Sequence, residues 1–318
     1  MSVPWVARRP FRLSRRARTG ALVNAILTSI CLVMLLPIAL TVLFTFEEKQ
    51  DITRNPPVLF PCDTPTATFD ITACRWSVEG YQRVFLVTPS ATAPLGFYLA
   101  GRLFTTYLPN TILYASASGL LVMLLSGMSG FTLARYRFRG RGAVMIFVLA
   151  LSGLPWMTDI IALYQLSTVL RRVLPVYSDR VFIIIVYTGF FLPLSIWIAK
   201  GFFDAIPREL EEAALVDGCD PAGGFVRITL PLAAPGMAAI FMLTFVSVWN
   251  EFIAGYLLIA KNNLMTAMFG MYDYMSMNLA NPQVVATACV VVAAPMVVVF
   301  LAARNTFFRA MIEGAIKG

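Results

Sequence analysis

Asp204-Ala205-Ile206-Pro207-Arg208-Glu209-Leu210-Glu211-Glu212-Ala213-Ala214-Leu215-Val216-Asp217-Gly218, continuing through Asp220-Pro221, Phe225, Ile228 and Leu230-Pro231 to Pro235-Gly236, is a polar island between two apolar blocks. It holds six of the seventeen carboxylates of a chain that is 13% charged and 58% hydrophobic. The local chemistry describes two short helices joined by a bend. Asp204 or Ala205 caps the first, and Pro207 fits its first turn, where a missing N–H costs nothing. Glu209, Glu211 and Glu212 face the positive end of its dipole. Gly218 stops it in a backbone conformation that glycine reaches cheaply. Asp220-Pro221 repeats the start for a second short helix, which Pro231 closes. Leu210, Ala213 and Ala214 share one face, small enough for another protein surface to come close. On pattern alone, a helical hairpin packed on its own chain reads equally well.

The spacing inside this stretch resembles the cytoplasmic loop of ABC importer permeases. That signature is Glu-Ala-Ala, three residues, Gly, nine residues, Ile, one residue, Leu-Pro. Glu212-Ala213-Ala214, Gly218, Ile228 and Leu230-Pro231 match every fixed position, with Cys219 where a small Ala or Ser is usual. The resemblance implies that the first helix docks into a cleft on an ATP-binding subunit and carries its motion to the membrane part. Glu212, Ala213, Ala214, Asp217, Gly218, Ile228 and Pro231 are the coupling residues it assigns. It also implies a cassette ATPase dimer, a second homologous permease and an extracytoplasmic solute-binding protein as partners. ATP and Mg would belong to the cassette subunits, so the chain itself is expected to be no enzyme and to hold no cofactor.

Composition agrees with a membrane protein. A chain of 318 residues with mean hydropathy +0.75 is too apolar for an ordinary soluble domain and has room for several spans of about 20 residues. The net charge of +8 does not point to nucleic acid, because the basic residues lie just outside apolar blocks, where lipid topology explains them. With no histidine and no acid cluster at metal spacing, zinc sites and histidine-based triads are excluded. A Gly-rich phosphate loop followed by Lys is also missing.

The expected fold is all-α and polytopic, with six transmembrane helices in a bacterial cytoplasmic membrane and both termini cytoplasmic. Residues 1–20, with six arginines, form a basic cytoplasmic N-terminus, and 21–46 form span 1, longer than a signal-peptide core. Residues 47–103 are a long extracytoplasmic loop holding Cys62 and Cys74, a candidate disulfide where a bridge can persist, with two free thiols as the alternative. The permease core covers 104–307, with spans 2 to 6 at about 104–131, 143–166, 181–203, 234–260 and 284–307. The coupling-helix loop 204–236 lies between spans 4 and 5, and 308–318 form a cytoplasmic tail. The third span is broken by Gly153 and Pro155. Arg135, Arg137, Arg139 and Arg141 mark a cytoplasmic loop, whereas Arg171, Arg172 and Arg180 mildly oppose an outside assignment for theirs. Sixteen Lys and Arg fall inside and nine outside in this layout.

Asp159 and Glu251 are the ionisable groups deepest in these spans. Each lies about 17 residues, roughly 25 Å, from its cytoplasmic boundary. Intramembrane charge is costly unless it meets water or a partner, which makes both candidates for a substrate cavity, with Trp249 and Asn250 beside Glu251 and Trp156 near Asp159. Against this, Glu251 can cap a bend or pair with a neighbouring permease, and Asp159 can sit at an interface. Trp249-Asn250-Glu251-Phe252, the arginine loop and the tail ending Gly314-Ala315-Ile316-Lys317-Gly318 are similar to those of carbohydrate importers, which implies a sugar or sugar-like cargo. An amino acid, peptide or polyamine cargo is the alternative within the class. An ion-coupled secondary transporter is the alternative outside it, and would want an inverted repeat that the sequence does not display.

Overall fold

The computed structural model describes residues 15–48, 52–53, 75–85, 102–277 and 281–315. Cys62, Cys74 and most of the 47–103 loop lie outside the described residues. Five helical runs are long and apolar enough to cross a bilayer: Leu22–Phe44, Leu103–Arg135, Asp179–Asp204, Pro221–Trp249 and Pro282–Arg304. They belong to α1 (Arg15–Phe44), α3 (Leu108–Arg135), α6 (Asp179–Asp204), α9 (Leu230–Trp249) and α12 (Pro282–Ala315). α2 is the short helix Glu79–Phe85. α3 lies along α6 and α9, α9 along α12, and α12 against α1 and α2. Leu22–Phe44 of α1 is apolar and exposed along nearly its whole length, as a lipid-facing span is.

Lipid gives these helices no hydrophobic reason to associate, so close van der Waals contact must hold them. Small residues sit where they cross. A Cβ on Gly130 of α3 would fall 2.8 Å from the Lys200 backbone N of α6, and one on Gly236 of α9 would enter the Phe202 ring. One cluster, with Val122, Ala199, Phe203, Met237 and Ile240, fills one end of this bundle. A larger one, with Tyr114, Tyr187, Phe245 and Trp249, fills the other.

Pro231 does not close a helix. The chain is helical from α8 (Pro221–Gly224) through a π turn, Phe225–Thr229, into α9. Leu230 N bonds the Phe225 carbonyl five residues back, so the turn is widened just before a proline that has no N–H and would crowd a normal α turn. The same device precedes Leu108-Pro109, where Leu108 N bonds Leu103 O across the π turn Leu103–Tyr107.

The broken third span is two helices, α4 (Arg141–Leu151) and α5 (Trp156–Val173), bent 86° apart. Pro155, extended at ψ 105°, starts α5 after a turn through Ser152 and Gly153. At 1.5 Å per residue α4 is about 16 Å long, half of a hydrocarbon core, so the pair makes at most one crossing.

The fifth span ends earlier than expected, its helical run covering Pro221–Trp249. α9 ends at Trp249, Asn250–Phe252 leave the helix, and α10 (Ile253–Leu258) follows, then α11 (Ala267–Met277). Arg171, the charge that fitted its loop poorly, is pinned: its Nε donates to Asp179 Oδ1 at 3.0 Å and a second nitrogen donates to the Leu258 carbonyl. Asp179 also accepts from Ala260 N at 3.3 Å. The guanidinium lies 5.6 Å from the centre of the Tyr177 ring, whose phenol burial pushes above its ordinary pKa against the pull of Arg171.

Candidate coupling site

The polar island folds into α7 (Glu209–Val216), a two-turn helix between α6 and α8. Asp204 is not its cap. It closes α6 and pairs with Lys200 one turn back, because the residue before Pro207 disfavours continued helix and separates the two. α7 begins after Arg208, whose Nη2 donates to the Ala134 carbonyl of α3 at 3.1 Å. Glu209, Glu211 and Glu212 occupy its first turn, the favourable place for acid.

The far end is a Schellman cap. Gly218 sits at φ 89°, its N–H bonds Leu215 O at 3.1 Å, and Cys219 N bonds Ala214 O at 2.9 Å. Asp220 then caps α8, accepting from Gly223 N at 3.1 Å. Both stop and restart follow the local chemistry of the sequence.

One carboxylate fixes α7 to the bundle. Glu211 Oε1 accepts from Arg135 Nε at 2.7 Å and from Thr229 Oγ1 at 2.9 Å, while Arg135 Nη2 donates to Ile206 O at 3.0 Å. The Arg135 side chain is only 8% exposed, so this ion pair is far from the screened surface type. Beneath it, Phe131 packs against Phe225 and Phe203 at centroid distances of 4.5 and 5.5 Å. Ala214 turns inward, 2% exposed, instead of sharing an outward face with Leu210 and Ala213. The outward face is Leu210, Glu212, Ala213, Val216 and Asp217, with Val216 87% exposed. Beside it a cleft of about 300 Å³ is lined by Phe131, Tyr136, Arg208, Glu212, Leu215 and Phe225 among others. Ile228 is half-buried in the π turn and Pro231 is exposed.

The second group of candidates lies at the other end of the bundle. Glu251 caps α10: Oε1 accepts from Ala254 N at 2.7 Å and Oε2 from Gly255 N at 3.1 Å. Tyr187 of α6, fully buried, donates its hydroxyl to Oε2 at 2.7 Å. Trp249 is 2% exposed and stacks on Phe245 at 5.7 Å. Asn250 is exposed, and its side chain bonds one turn back, Nδ2 to Val246 O at 2.9 Å. Asp159 sits half-buried in the first turn of α5, with no hydrogen bond or ion pair among the described residues. Arg135, Thr229 and Tyr187 were missed from sequence; the only signal was an arginine ending an apolar block near an acid-rich loop.

A bundle of apolar helices carrying a short, acid-rich helix pinned at one end is the build of a membrane transport subunit. Residues 123–312 match the family described as binding-protein-dependent transport system inner membrane component. The chain belongs to that family: it is a multi-pass inner-membrane permease subunit of an ABC importer, a membrane component and not a catalytic one. It is 31% identical over 215 residues to the maltose/maltodextrin transport system permease protein MalG of Vibrio vulnificus, covering 67% of this chain and 72% of that one. It is 27% identical over 301 residues to the sulfoquinovosyl glycerol transport system permease protein SmoH of Agrobacterium fabrum, covering 94% and 95%. A chain from the crystal structure of a bacterial ABC transporter involved in the import of the acidic polysaccharide alginate has the same fold. Its TM-score is 0.69 at 21% identity, over 94% of this chain and all of that one.

Proposed function

We propose that this chain is the permease of a sugar or sugar-like importer and that α7 is the element through which ATPase subunits drive it. The observation that carries the coupling reading is the seat of α7. Its inner face is locked by Arg135, Glu211 and Thr229, and its outer face offers Leu210, Glu212, Ala213 and Val216 to a partner. α7 follows α6 after four residues, runs into α9 through α8 and the π turn, and is salt-bridged to α3. A push on its outer face therefore reaches three long helices at once. Two cassette subunits closing on ATP would supply that push, a second permease would complete the path, and a solute-binding protein would deliver cargo from the opposite side. In this reading Glu212, Ala213, Ala214, Asp217, Gly218, Ile228 and Pro231 build the coupling element, and both termini and α7 lie in the cytoplasm with six crossings. The cargo class rests on relatives named for maltodextrin and sulfoquinovosyl glycerol transport.

The test is co-purification from the native membrane, wild type against Gly218→Pro, followed by ATPase turnover with loaded binding protein. Wild type should bring a cassette ATPase whose turnover rises on addition of loaded binding protein, and the variant should lose it. Wild type arriving without an ATPase would sink the coupling assignment.

A further inference from the structure

The turn between α3 and α4 reads Arg135-Tyr136-Arg137-Phe138-Arg139-Gly140-Arg141. Its first arginine is spent on Glu211. Arg137, Arg139 and Arg141 make no ion pair and no side-chain hydrogen bond among the described residues, and the first turn of α4 carries no acid. Arg137 and Arg139 are exposed, as is the Phe138 ring between them, while Tyr136 before them meets Phe131 edge-on at 6.3 Å on the side of the α7 cleft. Gly140 at φ 89° and the bond from Arg141 N to Phe138 O, 3.3 Å, fold the turn tightly.

Both arms of this turn are apolar, so it cannot leave the bilayer surface. α3 is part of a spanning run that ends at Arg135, and α4 is apolar from Ala143 and has no buried residue at all, so its sides are open along its whole length. The headgroup layer is roughly 5–8 Å deep on each side of the hydrocarbon. A seven-residue turn reaches at most about 25 Å end to end and here doubles back, so its guanidiniums stay at headgroup depth. At that depth the plentiful countercharge is phosphate, which guanidinium binds with paired donors. Phe138, exposed in the middle of the turn, suits the boundary, where aromatic rings settle.

We infer that Arg137, Arg139 and Arg141 form a binding site for anionic phospholipid headgroups, with Phe138 anchoring the turn between the lipids. The inference needs only the membrane topology of the turn, not the cargo. Arg137 is two residues from the Arg135 anchor, so the α7 seat is held from the lipid side as well as from the protein side.

The experiment uses the assembly that co-purifies with the chain, placed in nanodiscs of phosphatidylcholine with a minor fraction of phosphatidylglycerol. Retained lipid is then counted by native mass spectrometry. Wild type should enrich phosphatidylglycerol. R137Q/R139Q/R141Q should lose the enrichment by up to about fivefold for each charge removed, and the loss should shrink as NaCl rises. R137K/R139K/R141K should keep most of it. Equal enrichment in wild type and the Gln variant overturns the site. So does loss of the ATPase from the Gln variant with lipid unchanged, which would assign the arginines to a protein contact. If the triple variant gives no monodisperse assembly, R139Q alone carries the same reading, and unchanged enrichment there overturns it.

Discussion

Arg135 and Glu211 are 76 residues apart in sequence and 2.7 Å apart in space, and their ion pair is what seats α7 on α3. Arg135→Ala leaves Glu211 with Thr229 alone. The expected loss is about 1.5–3 kcal/mol, the range for hydrogen bonds to charged groups and below that for a fully buried pair, because Glu211 keeps some water. Apparent melting temperature and ATPase stimulation should both fall. In a double-mutant cycle with Glu211→Gln the two changes should couple by at least about 0.5 kcal/mol. Additive losses would mean the pair does not act as a unit.

Gly218 should tolerate side chains in the order of their comfort in left-handed backbone. A Cβ there meets nothing within 4 Å, so the cost is one of conformation, not collision. Gly218→Asn should be mild, Gly218→Ala should cost about 1–2 kcal/mol and Gly218→Val more. The readout is the amount of ATPase retained on purification, and a flat response across the three would contradict the cap.

Gly130 and Gly189 should respond in opposite directions to the same change. Gly130→Ala forces α3 and α6 apart at a backbone contact and should destabilise by about 1–3 kcal/mol. Gly189, exposed on α6 with open space around its Cα, should gain about 0.5–1 kcal/mol from helix propensity on mutation to Ala. Thermal stability followed by size-exclusion chromatography separates the two, and equal shifts would refute the close crossing.

Glu251→Ala should be worse than Tyr187→Phe, and Asn250→Ala milder than either for stability. Removing the carboxylate strips three hydrogen bonds and the cap of α10, whereas Tyr187→Phe removes one donor from a charged acceptor, worth about 1.5–3 kcal/mol. Substrate contact by Asn250 would appear separately, as a raised transport KM with unchanged thermal stability.

The parts of this site legible in sequence are those whose causes are local. Gly218, the Asp220 cap and the acidic first turn of α7 each follow from neighbours a few residues away, and so does the break at Gly153 and Pro155. Arg135 and Tyr187 were invisible because their partners lie 76 and 64 residues off, and an arginine at the end of a span reads first as a topology marker. The expected span runs through Trp249 to Phe252 as far as 260, yet α9 ends there because the Glu251 carboxylate offers Ala254 and Gly255 better-placed acceptors than the helix would. Pro231 misled for a related reason. A proline is a stop in an α turn, and the widened turn before it removes the crowding that makes it one.

Those two widened turns set a rotational phase. Each holds one residue more than an α turn, and every residue turns a helix by about 100°. Deleting a single residue from Phe225–Thr229 would keep α9 helical and apolar while swinging Ala233, Met237 and Ile240 off their packing partners toward lipid. A side-chain change in these two stretches acts on its own contacts, whereas a change in their length displaces every packed residue of the helix beyond.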